Sequence, residues 1–428
     1  MFKTLTNSYI SLFVILFSTN ALSEDFIPAE YFACYSNSNS MEMSPDGKYI
    51  AIVSQPRAPK CDIEPDLQKY VEDDYRGGRL TLYNTTNGSA KTLTSGVGNS
   101  SVSGVSWVSN DRIIFNTSPT NSSAKSIDAY ALWGMNIDGS KKKKLFTLKQ
   151  IQGTFASPRL TSLLPDEPNY VMVAINDRRG SVEDYYRLNI FTGSKKRVAM
   201  GPDIDNEEAL FDIIEKNDGT PLAAIGNLAD EWRIWRYYDA EDSWDVHFTS
   251  KCQTPTFFPL SGYEDKWLVS GQDITKSKTF NKDNDKSKLF LYDPDERSFE
   301  LLYEDDTYDV GGPTGGCRTA IGGASIDEKT NELIYVAYYG EKPVRIFFDD
   351  DVQATNDMLE GAFPDQIVRP ITWNKDRTKV VVSVSSSNNP GEYYYFDKEN
   401  MILTFLWDRS PWLDRSKLSK MTSIKYTA

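Results

Sequence analysis

Leu82-Tyr83-Asn84-Thr85-Thr86-Asn87-Gly88 is the end of an apolar strand running into a turn rich in Asn and closed by Gly, the chemistry of a β-hairpin. The pattern returns at Met135-Asn136-Ile137-Asp138-Gly139-Ser140, Asn189-Ile190-Phe191-Thr192-Gly193-Ser194 and Tyr237-Tyr238-Asp239-Ala240-Glu241-Asp242. It continues at Leu291-Tyr292-Asp293-Pro294-Asp295-Glu296, Phe347-Phe348-Asp349-Asp350-Asp351 and Tyr395-Phe396-Asp397-Lys398-Glu399-Asn400. Neighbouring copies lie about 50 residues apart, a period in the range of propeller blades.

A second series of turns runs out of phase with the first. It comprises Ser44-Pro45-Asp46-Gly47, Ser109-Asn110-Asp111, Leu164-Pro165-Asp166, Asn217-Asp218-Gly219, Tyr263-Glu264-Asp265, Asp327 to Asn331 and Asn374-Lys375-Asp376. Each precedes a short apolar strand, such as Tyr49-Ile50-Ala51-Ile52-Val53 or Val380-Val381-Val382. Two interleaved series of seven, each marking a turn between strands, predict an all-β, seven-bladed β-propeller of four-stranded blades. One four-stranded sheet cannot bury both faces, so blades stack around a ring until it closes. Two packed β-sandwiches are the competing architecture, but they carry no period of blade length.

Composition agrees. Aromatics make up 13% of the 428 residues, and the apolar runs are short, rich in Val, Ile, Tyr and Phe, which suits half-buried strands. No long segment of helical period stands out. A formal charge of -14 disfavours nucleic acid and anionic membranes, since both attract basic faces. At the amino end Lys3 precedes an apolar run, Ile10 to Phe17, and then Ala21-Leu22-Ser23, the layout of a secretory signal peptide. The run is too short to span a bilayer. The expected organisation is a signal peptide over 1–23, a lead-in over 24–40, the propeller over 41–405 and a closing segment over 406–428. A periplasmic or secreted location follows, with no membrane span after signal removal.

In that oxidising compartment Cys34, Cys61, Cys252 and Cys317 are free to form disulfides, with three pairings possible. Chain proximity favours Cys34 with Cys61 and Cys252 with Cys317; buried free thiols are the alternative. No Cys/His cluster suggests zinc, and no cofactor is implied.

Hydrolytic chemistry has little to work with. A Ser/His/Asp triad needs an imidazole, and the one histidine, His247, reads by strand alternation as a polar residue opposite Trp244, Val246 and Phe248. Gly323-Ala324-Ser325-Ile326-Asp327 approaches a nucleophile elbow but ends in Asp and coincides with a blade turn. Glu207-Glu208, between Pro202 and Phe211, form an acidic pair suited to a protonated amine, in a stretch read as a short helix or blade insertion; a solvated surface run is the plainer reading. Lys141 to Lys144 open a strand and protect an edge or solvate a turn.

Three stretches resemble the prolyl-oligopeptidase (S9) serine peptidases, particularly exported bacterial members related to acylaminoacyl- and dipeptidyl-peptidases. Phe26-Ile27-Pro28-Ala29-Glu30-Tyr31-Phe32-Ala33, with Met43-Ser44-Pro45-Asp46-Gly47-Lys48-Tyr49-Ile50-Ala51, looks like their passage into the first blade. Val105-Ser106-Trp107-Val108-Ser109-Asn110-Asp111 looks like their second-blade strand and turn. Pro411-Trp412-Leu413-Asp414, continued by Met421 to Ala428, looks like the passage from propeller into hydrolase domain.

The resemblance implies the non-catalytic, substrate-gating propeller of an S9-type peptidase, with residues 406–428 leading toward an α/β-hydrolase domain absent from this chain. No nucleophile, acid or base carries over, so the chain alone is not expected to be an enzyme. Some family members bind the substrate amino terminus through paired propeller glutamates; Glu207-Glu208 are a positional analogue whose surrounding motif does not match. The expected partners are a peptide, a hydrolase domain or an envelope protein. A free-standing periplasmic propeller similar to TolB, binding proteins or peptides, is the alternative, although TolB-like proteins carry a separate domain before the propeller. A propeller enzyme acting through its channel has no identifiable residue set.

Overall fold

The computed structural model describes residues 26–426 apart from 33–37, 55–77, 96–99, 120–129, 148, 152–153, 157, 180–181, 203–207, 229, 253, 264, 278, 280–284, 312–322, 328–329, 331 and 425. A short helix, α1 (Ala29–Phe32), precedes the sheets. Blade one is β1–β4 (Ser38–Met43, Tyr49–Ser54, Arg79–Asn84, Ala90–Thr94), and blade two is β5–β8 (Ser100–Ser109, Arg112–Pro119, Ala131–Asn136, Lys143–Thr147). A hairpin, β9–β10 (Lys149–Ile151, Thr154–Ala156), leads to blade three, β11–β14 (Pro158–Ser162, Tyr170–Arg179, Val182–Asn189, Lys195–Ala199). Blade four is β15–β18 (Glu208–Glu215, Pro221–Leu228, Glu231–Tyr238, Ser243–Lys251), and blade five is β19–β22 (Phe257–Tyr263, Lys266–Gly271, Lys288–Asp293, Ser298–Tyr303). Blade six is β23–β25 (Gly323–Ile326, Leu333–Tyr339, Pro343–Phe347), followed by helix α2 (Asp350–Ala362); blade seven is β26–β29 (Ile367–Trp373, Lys379–Ser386, Asn389–Asp397, Ile402–Asp408).

Each blade is an antiparallel meander, its strands hydrogen-bonded in chain order. First strands of successive blades lie side by side, β1 next to β5 and β26, and β19 next to β15 and β23. The first strand is therefore innermost and the fourth outermost. In all seven blades the pairing of first with second strand slips by a residue. The third-to-fourth pairing slips likewise in the six blades that carry a fourth strand among the described residues. Such bulges bend a strand and sharpen its twist, which fans each blade outward from the narrow inner wall.

Among the described residues the core falls into seven clusters, six between neighbouring blades and one between helix α2 (Asp350–Ala362) and blade seven. Ala51, Val53 and Leu80 meet Val102, Trp107 and Phe115 between blades one and two; the steps to blades three, four, five and six are built alike. Closure follows the same rule. Met41, Met43 and Ile50 of blade one pack on Val381, Tyr393 and Tyr395 of blade seven, the Met43 N–H donates to Thr372 Oγ1 at 3.0 Å, and the Lys375 N–H donates to the Pro45 carbonyl at 2.9 Å. Among the described residues no strand is exchanged across this seam: blade one is built from β1–β4 and blade seven from β26–β29.

The expected ring of four-stranded blades forms, with one local departure. Thirteen of the fourteen quoted turns join strands as read, but Phe347-Phe348-Asp349-Asp350-Asp351 leads from β25 into α2. Asp349 is the helix N-cap, its carboxylate accepting from the Asp351 and Val352 N–H groups, and Asp350 and Asp351 sit where the helix dipole favours negative charge. Val352, Thr355, Asn356 and Leu359 are buried, a helical spacing that the sequence reading passed over. Leu359 and Phe363 pack on Val368, Val380, Val382 and Phe396 of blade seven. Helix α2 thus fills the step between blades six and seven.

Candidate functional site

A meander of four strands begins and ends at the same end of the ring. Both turn series therefore lie at one end, and the second-to-third connections, the blade-to-blade connections and both chain ends lie at the other. The turn end is stitched together. Thr161 Oγ1 donates to the Gly219 carbonyl at 3.0 Å, Asn217 Nδ2 to the Asp327 carbonyl at 3.3 Å, and Arg377 bridges Asp327 and Asp349. The end that carries the termini is tied differently. Trp412, buried beyond β29, donates its indole N–H to the Tyr31 carbonyl at 3.0 Å. Arg415 pairs with Glu392 and Asp408, and the Met421 N–H donates to Ser387 Oγ at 3.0 Å. Beyond that anchor Met421, Ile424 and Tyr426 are exposed.

An unequal charge cluster lies in the interface between blades three and four. Arg159 of β11 pairs with Glu183 at 2.7 Å and Glu215 at 2.5 Å, and the Tyr185 hydroxyl donates to Glu215 at 3.1 Å. Strand pairing explains the company: Arg159, Ala174 and Tyr185 share one rung across β11, β12 and β13, facing β15. Burial pushes the Glu215 carboxyl up against the opposing pull of Arg159. Asp212, though exposed, is pushed up by partial desolvation, countered by the Ile213 N–H and the Arg159 charge. Burial pulls the Arg159 guanidinium down, but its hydrogen bonds to Glu215 and Glu183 outweigh that and hold it above its ordinary value. Three carboxylates face one guanidinium, a surplus of negative charge suited to a cationic group.

The sequence-derived candidates fare unequally. Glu208 starts β15, opposite Leu228, rather than lying in a short helix or insertion, and Glu207 lies outside the described residues. Asp212 and Glu215, four and seven residues farther along that strand, were missed, because nothing local marks which acid the ring brings against Arg159. Among the described residues no cysteine is free and Cys252 is disulfide-bonded; Cys34, Cys61 and Cys317 lie outside them. Gly323 to Ile326 form β23 and Asp327 opens a blade turn, so Ser325 is a strand residue. Lys143 and Lys144 start the outermost strand β8, and Lys142 and Lys144 each lie over the Trp133 ring, at 5.2 and 5.3 Å.

His247 needs a correction. It is a polar strand residue as read, but it is 8% exposed rather than set apart from the apolar face, and it hydrogen-bonds to the Tyr292 hydroxyl at 2.7 Å beside Trp267. The reason is a bulge: Ile234 faces Phe248 and Trp235 faces Val246, which leaves His247 as the extra residue and breaks the alternation. Burial, then Arg297 and Arg236, lower its pKa to about 4. It is a neutral link between blades four and five.

A cleft of about 470 Å³ opens between blades five and six, lined by Tyr263, Leu291, Leu302, Leu333, Phe348 and the acids Glu332 and Asp349. Among the described residues no group of three His, Cys, Asp or Glu is arranged to hold a metal, and no helix is long and apolar enough to cross a membrane.

No family model and no curated protein matches the chain. Solved structures do. A prolyl endopeptidase is similar over 88% of this chain and 51% of its own, at 12% identity and a TM-score of 0.47. Prolyl oligopeptidase B from Galerina marginata matches over 90% and 53%, at 10% and 0.46. TolB from Acinetobacter baumannii matches over 86% and 65%, at 11% and 0.34. The chain thus spans about half the length of the two peptidases. At such identities the ring itself rests on the strand pairing described above.

Proposed function

We propose that this chain is a non-catalytic binding propeller, the substrate-gating part of an exported S9-type peptidase. One observation carries the reading: both chain ends leave one end of the ring, locked together by the Trp412–Tyr31 hydrogen bond, with Met421, Ile424 and Tyr426 exposed beyond it. A hydrolase domain joined or docked there would cover apolar side chains that now face water. The stitched turn end would face away from it. The sequence resemblances at Phe26 to Ala33 and Pro411 to Asp414 flank this same region. In this reading the Arg159 cluster, with its surplus of carboxylates, lines the path of a peptide and favours a protonated amine.

The test is a two-part assay on short peptidyl amide reporters. The purified chain is expected to show no turnover alone and to modulate turnover when mixed with an S9 hydrolase domain. Turnover by the chain alone overturns the reading. Capture of an envelope protein from periplasmic extract, with no effect on any hydrolase domain, would favour a free-standing propeller of the TolB kind instead.

A further inference from the structure

The outermost strands of the blades differ in how they guard their free edges. An outer strand leaves a row of backbone N–H and C=O groups unpaired, and proteins protect such edges with charge, above all lysine. Strand β4 carries Lys91, β8 carries Lys143 and Lys144, and β14 carries Lys195, Lys196 and Arg197. β18 and β22 carry Asp245 and Glu300. Strand β29, Ile-Leu-Thr-Phe-Leu-Trp-Asp, has no charge before its last residue. It is also unusually apolar on the outside: Ile402 and Phe405 are each 53% exposed, and Met401 and Leu403 are exposed beside them. In a chain of charge -14, this is the edge left open.

The strand's own pattern selects what closes it. Placed antiparallel to itself about Thr404, β29 sets Leu403 opposite Phe405, Ile402 opposite Leu406 and Met401 opposite Trp407. The same register brings the turn holding Glu399 in one copy to Arg409 of the other, twice by symmetry. Both side chains are exposed, and neither is in an ion pair among the described residues. Leu403 and Phe405 lie on one face of the sheet, opposite Phe396 and Tyr394 of β28. Self-pairing would therefore gather four exposed apolar side chains into one patch. We infer that β29 is a homodimer interface, two copies adding edge to edge across a twofold axis to make one eight-stranded sheet from two blades of four.

The experiment uses the mature chain. Sedimentation equilibrium is expected to show a reversible dimer, and Phe405→Lys, which puts a guarding charge on the edge, is expected to weaken it by about tenfold or more. Leu301→Lys, on the outer strand of blade five, should leave it unchanged. Thr404→Cys tests the register: in a self-paired strand the two Cβ atoms lie roughly 4.5–5.5 Å apart, so mild oxidation should give a covalent dimer that Leu301→Cys does not. A monomer at every concentration overturns the inference. So does a dimer that survives Phe405→Lys, or one that Thr404→Cys fails to cross-link. Circular dichroism on each variant separates a lost interface from a lost fold.

Discussion

Trp412 Nε1 and the Tyr31 carbonyl lie 3.0 Å apart although 381 residues separate them in the chain. The bond fastens the segment after the last blade to the helix before the first. Trp412→Phe keeps most of the ring's burial and removes the donor, so a loss of about 1 kcal/mol is expected. Trp412→Ala also leaves a cavity and should cost about 3–5 kcal/mol. Urea denaturation measures both, and proteolysis at the chain ends should quicken in the same order.

Gly134 supports the buried Arg112. A Cβ at that position would stand 2.7 Å from Arg112 Nη2 and 2.8 Å from the Ile190 carbonyl, the very pair whose 2.6 Å hydrogen bond links blades two and three. Gly134→Ala should therefore destabilise by about 1–3 kcal/mol. Gly139→Ala, where a Cβ meets nothing within 4 Å, isolates the backbone cost of a positive φ. Thermal melts of the pair decide whether crowding or backbone strain is the larger effect.

His247 predicts a pH dependence. Its folded pKa is about 4 against 6.5 for the free side chain, so between those values the unfolded chain binds the additional proton. Its contribution is whole above pH about 6.5 and is lost as pH falls toward 4, a change on the order of 3 kcal/mol. Asp212 and Glu215 act in the opposite sense, because their folded carboxyls are raised and protonation at low pH relieves their cost. The histidine component is read from wild type minus His247→Gln: the gap should shrink as pH falls through that window. A gap constant with pH would refute the assignment.

Asp349 joins a helix cap to an ion pair. Asp349→Ala removes two N–H partners in α2 and a partner of Arg377, with an expected loss of about 1–2 kcal/mol. Asp349→Asn retains an acceptor for the cap and loses the charge, so it should fall between wild type and Ala. Hydrogen exchange of the α2 amides checks the order.

Peptide mapping under non-reducing conditions should find Cys252 linked to Cys317 and Cys34 to Cys61. A Cys252–Cys34 or Cys252–Cys61 peptide would show that chain proximity misleads in a closed ring.

What the sequence made legible follows the geometry of the ring. Turns at one end are short and built from residues with a strong local mechanism, such as Gly47 and Gly219 at positive φ and Asn84 accepting from the Thr86 and Asn87 N–H groups. They could be counted without knowing the fold. The other end is made of connections running from residues 340–342 between β24 and β25 to residues 55–78 between β2 and β3, with no shared spacing. Arg159, Asp212 and Glu215 illustrate the limit: each sits on an ordinary strand, and only closure of blade three on blade four makes them neighbours. His247 failed for a different reason, since a bulge inverts the alternation on which the inward or outward reading depends. Helix α2 was hidden because its buried face holds Thr355 and Asn356, polar residues that dilute an apolar stripe.

The seam between blades one and seven is held by the same kind of apolar packing as the steps from blade one through blade six, and among the described residues no strand crosses it. Among the described residues the packing at this join does not differ in kind from that between other blades. Since Tyr31 and Trp412 already touch, a short peptide joining the two ends, with the chain cut instead in a blade-to-blade connection, should fold to the same ring. The order of the blades around the ring is structural, whereas the choice of a first blade is not.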